Sequence, residues 1–165
     1  MFDSFSLPDT FTWNTMMRTY LNAQKPAESL ALYFQMRFHD DLPLDSFSLS
    51  LVLQACGRLM DCDNGMMIHA YVVKLGFCRD LFVQTALIEM YARCGCTEYA
   101  AKVFDFMEEP DLVAHNVLLS EYVKIRDIQK ARELFDRMPQ RDLVSWNTII
   151  HGYASFGDAL DIANQ

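Results

Sequence analysis

The feature that most constrains this chain is that it repeats itself. Leu112-Val-Ala-His-Asn116-Val-Leu-Leu aligns with Leu143-Val-Ser-Trp-Asn147-Thr-Ile-Ile at an offset of 31 residues. Thr12-Trp-Asn14-Thr-Met-Met has the same form near the start. Ala100-Ala-Lys-Val-Phe104-Asp105-Phe-Met107 aligns with Ala131-Arg-Glu-Leu-Phe135-Asp136-Arg-Met138, again at 31. Aspartates punctuate the series at Asp9, Asp45, Asp80, Asp111 and Asp142, at intervals of 36, 35, 31 and 31. Periods of this size belong to solenoids of helical hairpins, in which each unit buries its apolar face only against its neighbours.

Each unit reads as two helices. In the fourth, Leu118, Tyr122 and Ile125 recur at i, i+4, i+7, the stripe of an amphipathic helix. Arg126-Asp127 breaks the stripe. A second helix follows, with Ile128, Ala131, Leu134, Phe135 and Met138 as its apolar face and Pro139 ending it. The third unit repeats the plan: Leu87, Met90, Tyr91 and Cys94, a Cys94-Gly95-Cys96 turn, then Ala100, Val103, Phe104 and Met107. In the second, Gly57 and Gly65 bracket the turn and Gly76 is a C-cap. The first turns at Asn22-Ala-Gln-Lys-Pro26, with Pro26 opening its second helix. The expected fold is all-α, a right-handed solenoid superhelix of stacked hairpins forming one domain. Its units run 10–45, 46–80, 81–111 and 112–142, with a partial fifth over 143–165. Residues 1–9 read as the end of a preceding unit, so both termini look cut from a longer array.

Composition agrees with a packed fold. The 165 residues are 52% apolar and 22% charged, which excludes a disordered chain. The length can bury a core without disulfide or metal staples. Five cysteines show no C-x-x-C spacing, so zinc-ribbon and thioredoxin readings fail. They are expected to be reduced thiols behaving as small buried hydrophobes. The longest uncharged run, 143–157, is 15 residues and contains several polar ones, short of the ~20 a membrane span needs. The start, Met1-Phe2-Asp3-Ser4, shows neither a secretory signal nor an Arg-rich transit peptide. With 14 Lys and Arg against 22 Asp and Glu, the net charge is −8. On that balance alone nucleic acid is disfavoured, because phosphate binding leaves a basic footprint.

The strings change that view. Phe11-Thr-Trp-Asn14-Thr-Met-Met, Ile68-His-Ala-Tyr-Val-Val-Lys-Leu-Gly-Phe77, Ala86-Leu-Ile-Glu-Met-Tyr-Ala-Arg-Cys-Gly95, Ala101-Lys-Val-Phe-Asp105 and Arg141-Asp-Leu-Val-Ser-Trp-Asn-Thr-Ile-Ile150 resemble the plant pentatricopeptide repeat proteins. They are closest to the type that alternates P, L and S repeats of about 35, 35 and 31 residues. A plain tetratricopeptide array holds a steady 34-residue period, which this chain does not. On this resemblance the units are P-like (10–45), L-like (46–80), S-like (81–111) and a 31-residue P/S-like repeat (112–142).

The resemblance implies single-stranded RNA binding in a chloroplast or mitochondrion, one base per repeat. The RNA processing implied includes recognition of C-to-U editing sites, with editing or processing factors as further partners. It implies no DNA, membrane, metal or cofactor. Two side chains address each base, as in other helical-repeat RNA readers. By the family pattern these are Asn14 with Asp45, Ser50 with Asp80, Thr85 with Asp111, and Asn116 with Asp142. Asn147 lacks its closing partner. An apolar residue three positions before each reader, namely Phe11, Phe47, Phe82, Val113 or Val144, shares its helix face and could sandwich a splayed base. Asn with Asp implies uracil and Thr with Asp guanine. Ser50 sits in the long-type repeat and is assigned no base. Read 5′ to 3′, the expected site is U, any, G, U, pyrimidine.

Other readings compete. Each aspartate precedes a helix, where a carboxylate caps free N–H groups; capping and base reading are compatible. Asn14, Asn116 and Asn147 could bond backbone in a first turn. Trp13 and Trp146 read as packing residues, as do Met36, Met107 and Met138. Stacked hairpins also make peptide-binding scaffolds without RNA; RNA binding would place Lys and Arg beside the readers. Catalysis is not expected. His39, His69, His115 and His151 are isolated, and no H-E-x-x-H, Walker A, G-x-S-x-G or deaminase H-x-E with P-C-x-x-C occurs. Four aspartates of the acidic total are proposed readers, so their charge does not argue against RNA. The remaining excess implies weak, base-edge-dominated binding.

Overall fold

Aspartate is the residue that starts the first helix of every hairpin. Asp9, Asp45, Asp80 and Asp111 adopt extended backbone, and each carboxylate accepts the amide three residues on: Thr12, Ser48, Val83 and Ala114. Asp142 does the same for Ser145, at 2.9 Å. Four N–H groups have no partner inside a helix start, so such a cap stabilises by about 1 kcal/mol.

The computed structural model describes residues 9–38 and 43–163; over 156–163 only the helical backbone is described. The proposed tail of an earlier unit, apart from Asp9, lies outside these residues, as do His39 and the last two residues of the fifth unit. Among the described residues there are nine α-helices and no strand. They are α1 (Thr10–Asn22), α2 (Pro26–Arg37), α3 (Ser46–Leu59), α4 (Cys62–Leu75), α5 (Leu81–Arg93), α6 (Thr97–Phe106), α7 (Leu112–Lys124), α8 (Ile128–Arg137) and α9 (Leu143–Ala163). A 3-10 turn, Phe77–Arg79, follows α4. The odd-numbered helices pack one on the next, α1 on α3 through to α9. Each even-numbered helix packs on its own partner and on the following odd helix. The result is an array of stacked helical pairs. No described helix is long and apolar enough to cross a membrane.

The four turns within hairpins are alike because their hydrogen bonds are alike. Lys25, Asp61, Cys96 and Asp127 each donate their amide to the carbonyl five residues back, at 2.8 to 3.0 Å. That closure forces the residue before each into the left-handed region: Gln24, Met60, Gly95 and Arg126, with φ of 59, 55, 72 and 61°. Only Gly95 enters it without the penalty a side chain adds, about 1 kcal/mol. Gly76, at φ 82°, caps α4, and Pro26 opens α2.

The core is columnar. Met17, Leu53, Ile88 and Leu119 stand eight residues after successive aspartates and are fully buried, forming the seam of the odd helices. The expected second-helix faces are buried too, through Ala100, Val103, Phe104, Ala131, Leu134, Phe135, Met36, Met107 and Met138. Two expectations need correction. Ile125 does not join the apolar stripe of α7; it is the C-cap and is exposed, because the helix has already ended. The thiols are not all buried: Cys56 is, whereas Cys62, Cys78, Cys94 and Cys96 are half-buried. Gly57 and Gly65 flank the second turn from inside α3 and α4, and packing explains them. A Cβ on Gly57 would lie 3.1 Å from the Met90 Cα, and one on Gly65 2.3 Å from the Met90 sulfur. Trp13 is buried, while Trp146 is half-exposed and meets the Phe135 ring edge to face at 4.8 Å.

Candidate nucleic-acid interface

The stacking of odd helices brings the first turn of one beside the N-cap of the next. Asn14, in the first turns of α1, donates its Nδ2 to both carboxylate oxygens of Asp45 at 3.2 and 3.3 Å. Asn116 does the same to Asp142 at 3.2 and 3.4 Å. Thr85 Oγ1 donates to Asp111 Oδ2 at 3.5 Å. Three of the four pairs read from the sequence are thus brought together across 26 or 31 residues. The fourth is not. The Ser50 hydroxyl donates back to the Ser46 carbonyl at 2.8 Å, and no hydrogen bond joins it to Asp80. A serine hydroxyl inside a helix can bond the carbonyl four residues back in that helix, as Ser50 does here. Asn147 lines a cleft of about 520 Å³ with Ser120, Lys124, Arg126, Thr148 and His151.

Asp45, Asp111 and Asp142 therefore each do two things with one carboxylate: they cap a helix and hold the preceding hairpin's polar side chain. The two asparagines differ in their free end. The Ser48 hydroxyl lies 2.7 Å from both the Asn14 Oδ1 and the Asp45 Oδ1 and shares its one proton between them, so both ends of the Asn14 amide are engaged. Asn116 Oδ1 is buried and has no hydrogen-bond partner. Ser145, which corresponds to Ser48, turns instead to the Asp142 carbonyl at 2.9 Å.

Partial burial pushes the Asp45 carboxyl up, but hydrogen bonds from the Ser48 amide and hydroxyl and from Asn14 together hold it below its ordinary value. The Ser145 amide, followed by Asn116, holds Asp142 low, and Thr12 does so for Asp9. A carboxyl whose folded pKa is depressed contributes stability above its unfolded value. That contribution is lost as pH falls through the folded value. Thermal midpoints followed by circular dichroism are expected to drop below about pH 4. Asp45→Asn keeps a capping side chain and is expected to flatten part of that acid dependence. An unchanged acid profile in this variant would show that the Asp45 contacts carry no linkage.

One turn before the polar pairs runs an apolar column. Phe11, Phe47, Phe82, Val113 and Val144 are all exposed, from 45% at Phe47 to 77% at Phe11. Their exposure recurs at one equivalent position in each unit, so they form a regular apolar column in solvent.

Sequence reasoning missed a third column. Arg58, Arg93 and Lys124 each stand thirteen residues after an aspartate, in the last turns of α3, α5 and α7. They line one cleft of about 530 Å³. Eleven residues separate each from the apolar position of its helix, just over three full turns, so the two share a face. Arg58 donates to the Leu21 carbonyl, and the buried Glu121 carboxylate holds Lys124. Counting from the aspartates would have found the column; the net charge concealed it. Of the histidines, His69 bonds the Tyr91 hydroxyl at 2.9 Å and His115 the Asp111 carbonyl at 2.8 Å. Both are tied to structure.

Stacked hairpins with a polar pair at three of the four junctions place the chain in the helical-repeat class. The PPR repeat model matches residues 11–40, 85–111, 113–143 and 144–161, well over half the chain. The chain belongs to the pentatricopeptide repeat family. The matched segments leave out 41–84, which includes the hairpin whose polar pair does not form. Pentatricopeptide repeat-containing protein At2g45350 of Arabidopsis thaliana, chloroplastic, is 40% identical over 108 residues, 66% of this chain and 18% of that protein. At4g19191, mitochondrial, from the same plant is 38% identical over 104 residues, 63% of this chain and 16% of that one. The crystal structure of the maize pentatricopeptide repeat protein PPR10 aligns at a TM-score of 0.49 and 19% identity, covering 89% of this chain and 27% of that one. The chain thus spans about a fifth of the length of the curated relatives it matches.

Proposed function

We propose that this chain is part of a PLS-type tract that reads single-stranded RNA one base per repeat, in a chloroplast or mitochondrion, for RNA processing such as marking C-to-U editing sites. The observation that carries the proposal is the recurring unit of a carboxylate-held polar side chain with an exposed apolar residue one turn before it. Capping alone would explain the aspartates. It does not call for an apolar column left in solvent.

The pairs have a base chemistry. Asp142 holds the Asn116 Nδ2; the Asn116 Oδ1, buried and without a partner in the chain alone, is the acceptor that a turn of the amide brings to a base edge. Uracil offers an N3–H donor to that acceptor, whereas cytosine offers a second acceptor, so the pair favours uracil. Guanine presents N1–H and N2–H donors. The Thr85 hydroxyl oxygen and the Asp111 carboxylate are both acceptors, so that pair favours guanine. Ser50 is turned to its own helix and Asn147 is unpaired, giving U, any, G, U, pyrimidine. Arg58, Arg93 and Lys124 supply phosphate contact along the same face.

Fluorescence anisotropy with U-N-G-U-Y and shuffled RNAs at matched salt tests the reading. Asn116→Ala is expected to weaken binding of the matched RNA by roughly tenfold. Asn14→Ala is expected to cost less, because Ser48 already occupies the Asn14 acceptor. Arg93→Ala is expected to lower the slope of log affinity against log salt by about 0.7. Equal binding of matched and shuffled RNA with no salt dependence would point to a protein-binding scaffold.

A further inference from the structure

Cys62, Cys94 and Cys96 come from two hairpins, yet their side chains form one cluster. Cys62 is the first residue of α4, Cys94 follows the end of α5, and Cys96 immediately precedes α6. The Cys62 and Cys96 sulfurs are 3.2 Å apart, about 1 Å more than a disulfide bond. The Cys94 thiol also points at the Met90 sulfur, at 3.9 Å. All three are half-buried, so a small reagent can reach them. Cys56, by contrast, is fully buried.

We propose that Cys62 and Cys96 form a reversible disulfide that staples the second hairpin to the third. The oxidant is a low-molecular-weight disulfide of the glutathione class. One protein thiolate attacks that disulfide, forms a mixed disulfide and releases one small thiol. The second protein thiolate then attacks the protein sulfur of the mixed disulfide. The Cys62–Cys96 bond forms and a second small thiol leaves. Two electrons and two protons pass from the protein to the small disulfide, whose S–S bond is broken. Burial pushes the Cys94 thiol up to about 11, and the hydrogen bond with Cys62 raises Cys96. These two thiols therefore stay protonated near neutrality and exchange slowly. That is the behaviour of a structural staple, not of a catalytic thiol. The turn it anchors follows Arg93 directly, so the oxidised form also restrains Arg93 relative to α4.

Peptide mapping of the whole chain tests this without reference to RNA. After incubation with excess oxidised glutathione, acid quenching and alkylation, trypsin releases Cys62 in 59–74 and Cys94 with Cys96 in 94–102. The expected result is a cross-link of these two peptides, reversed by reductant, retained in Cys94→Ser and lost in Cys96→Ser. Oxidation is expected to raise the thermal midpoint of the wild-type chain by about 5 °C or more, and not that of Cys96→Ser. A cross-link that persists in Cys96→Ser, a Cys94–Cys96 pairing, mixed disulfides alone or no loss of thiols would each overturn the proposal. Circular dichroism of the reduced serine variants establishes that they are folded.

Discussion

Asn116→Thr is expected to turn the fourth repeat from uracil to guanine, a change of about 1–3 kcal/mol against the old base and in favour of the new one. The chain contains its own precedent. Thr85 reaches Asp111 over 26 residues, and Asn116 reaches Asp142 over the same separation. A threonine at 116 therefore stands where its hydroxyl can donate to the same kind of capping carboxylate. The cost to the fold is small, since the Asn116 Oδ1 is already without a partner and Asp142 keeps its Ser145 amide at 2.9 Å. Binding is measured with two RNAs that differ only at the fourth position, U or G, at one salt concentration. The wild type is expected to prefer U by roughly tenfold and the variant to prefer G. If both proteins keep the same preference, the pair at 116 and 142 is a cap and a packing contact and does not read a base.

The second large effect is on stability. Ile88→Ala is expected to cost about 2–5 kcal/mol in urea unfolding. Ile88 is fully buried in the column shared with Leu53 and Leu119, so its truncation leaves a cavity where α5 meets its neighbours. In a solenoid each repeat is held only by the next, so loss at the middle junction uncouples the two ends. The transition is expected to broaden as well as shift. Ile150 stands at the corresponding place in α9 and is exposed. Its replacement by Ala is expected to stay within about 0.5 kcal/mol of wild type. Equal effects at 88 and 150 would contradict the columnar core.

Much of this was legible in the residues. The aspartate spacing announced where each hairpin begins, and Pro26, Gly76, Gly95 and Pro139 marked ends and turns through backbone restrictions that act locally. The buried second-helix faces followed from apolar spacing. Other features were not legible. Met60 and Arg126 occupy left-handed turn positions that their side chains do not favour; the hydrogen bonds of the turn impose it. Nothing in the spacing of Cys62 and Cys96 suggests that their sulfurs are 3.2 Å apart. Nor does residue type distinguish Ser50, which bonds within its helix, from Thr85, which bonds across to the next.

The dividing line is physical. Periodicity, caps and turn residues act over one or two helical turns, where chain connectivity fixes who can meet whom, and these specified an all-helical array of hairpins. Contacts over 26 to 34 residues depend on how closely neighbouring helices approach and which rotamer each junction leaves open. Packing therefore settled that Asn14 is engaged at both ends while Asn116 keeps a free acceptor, and that Arg58, Arg93 and Lys124 line one cleft.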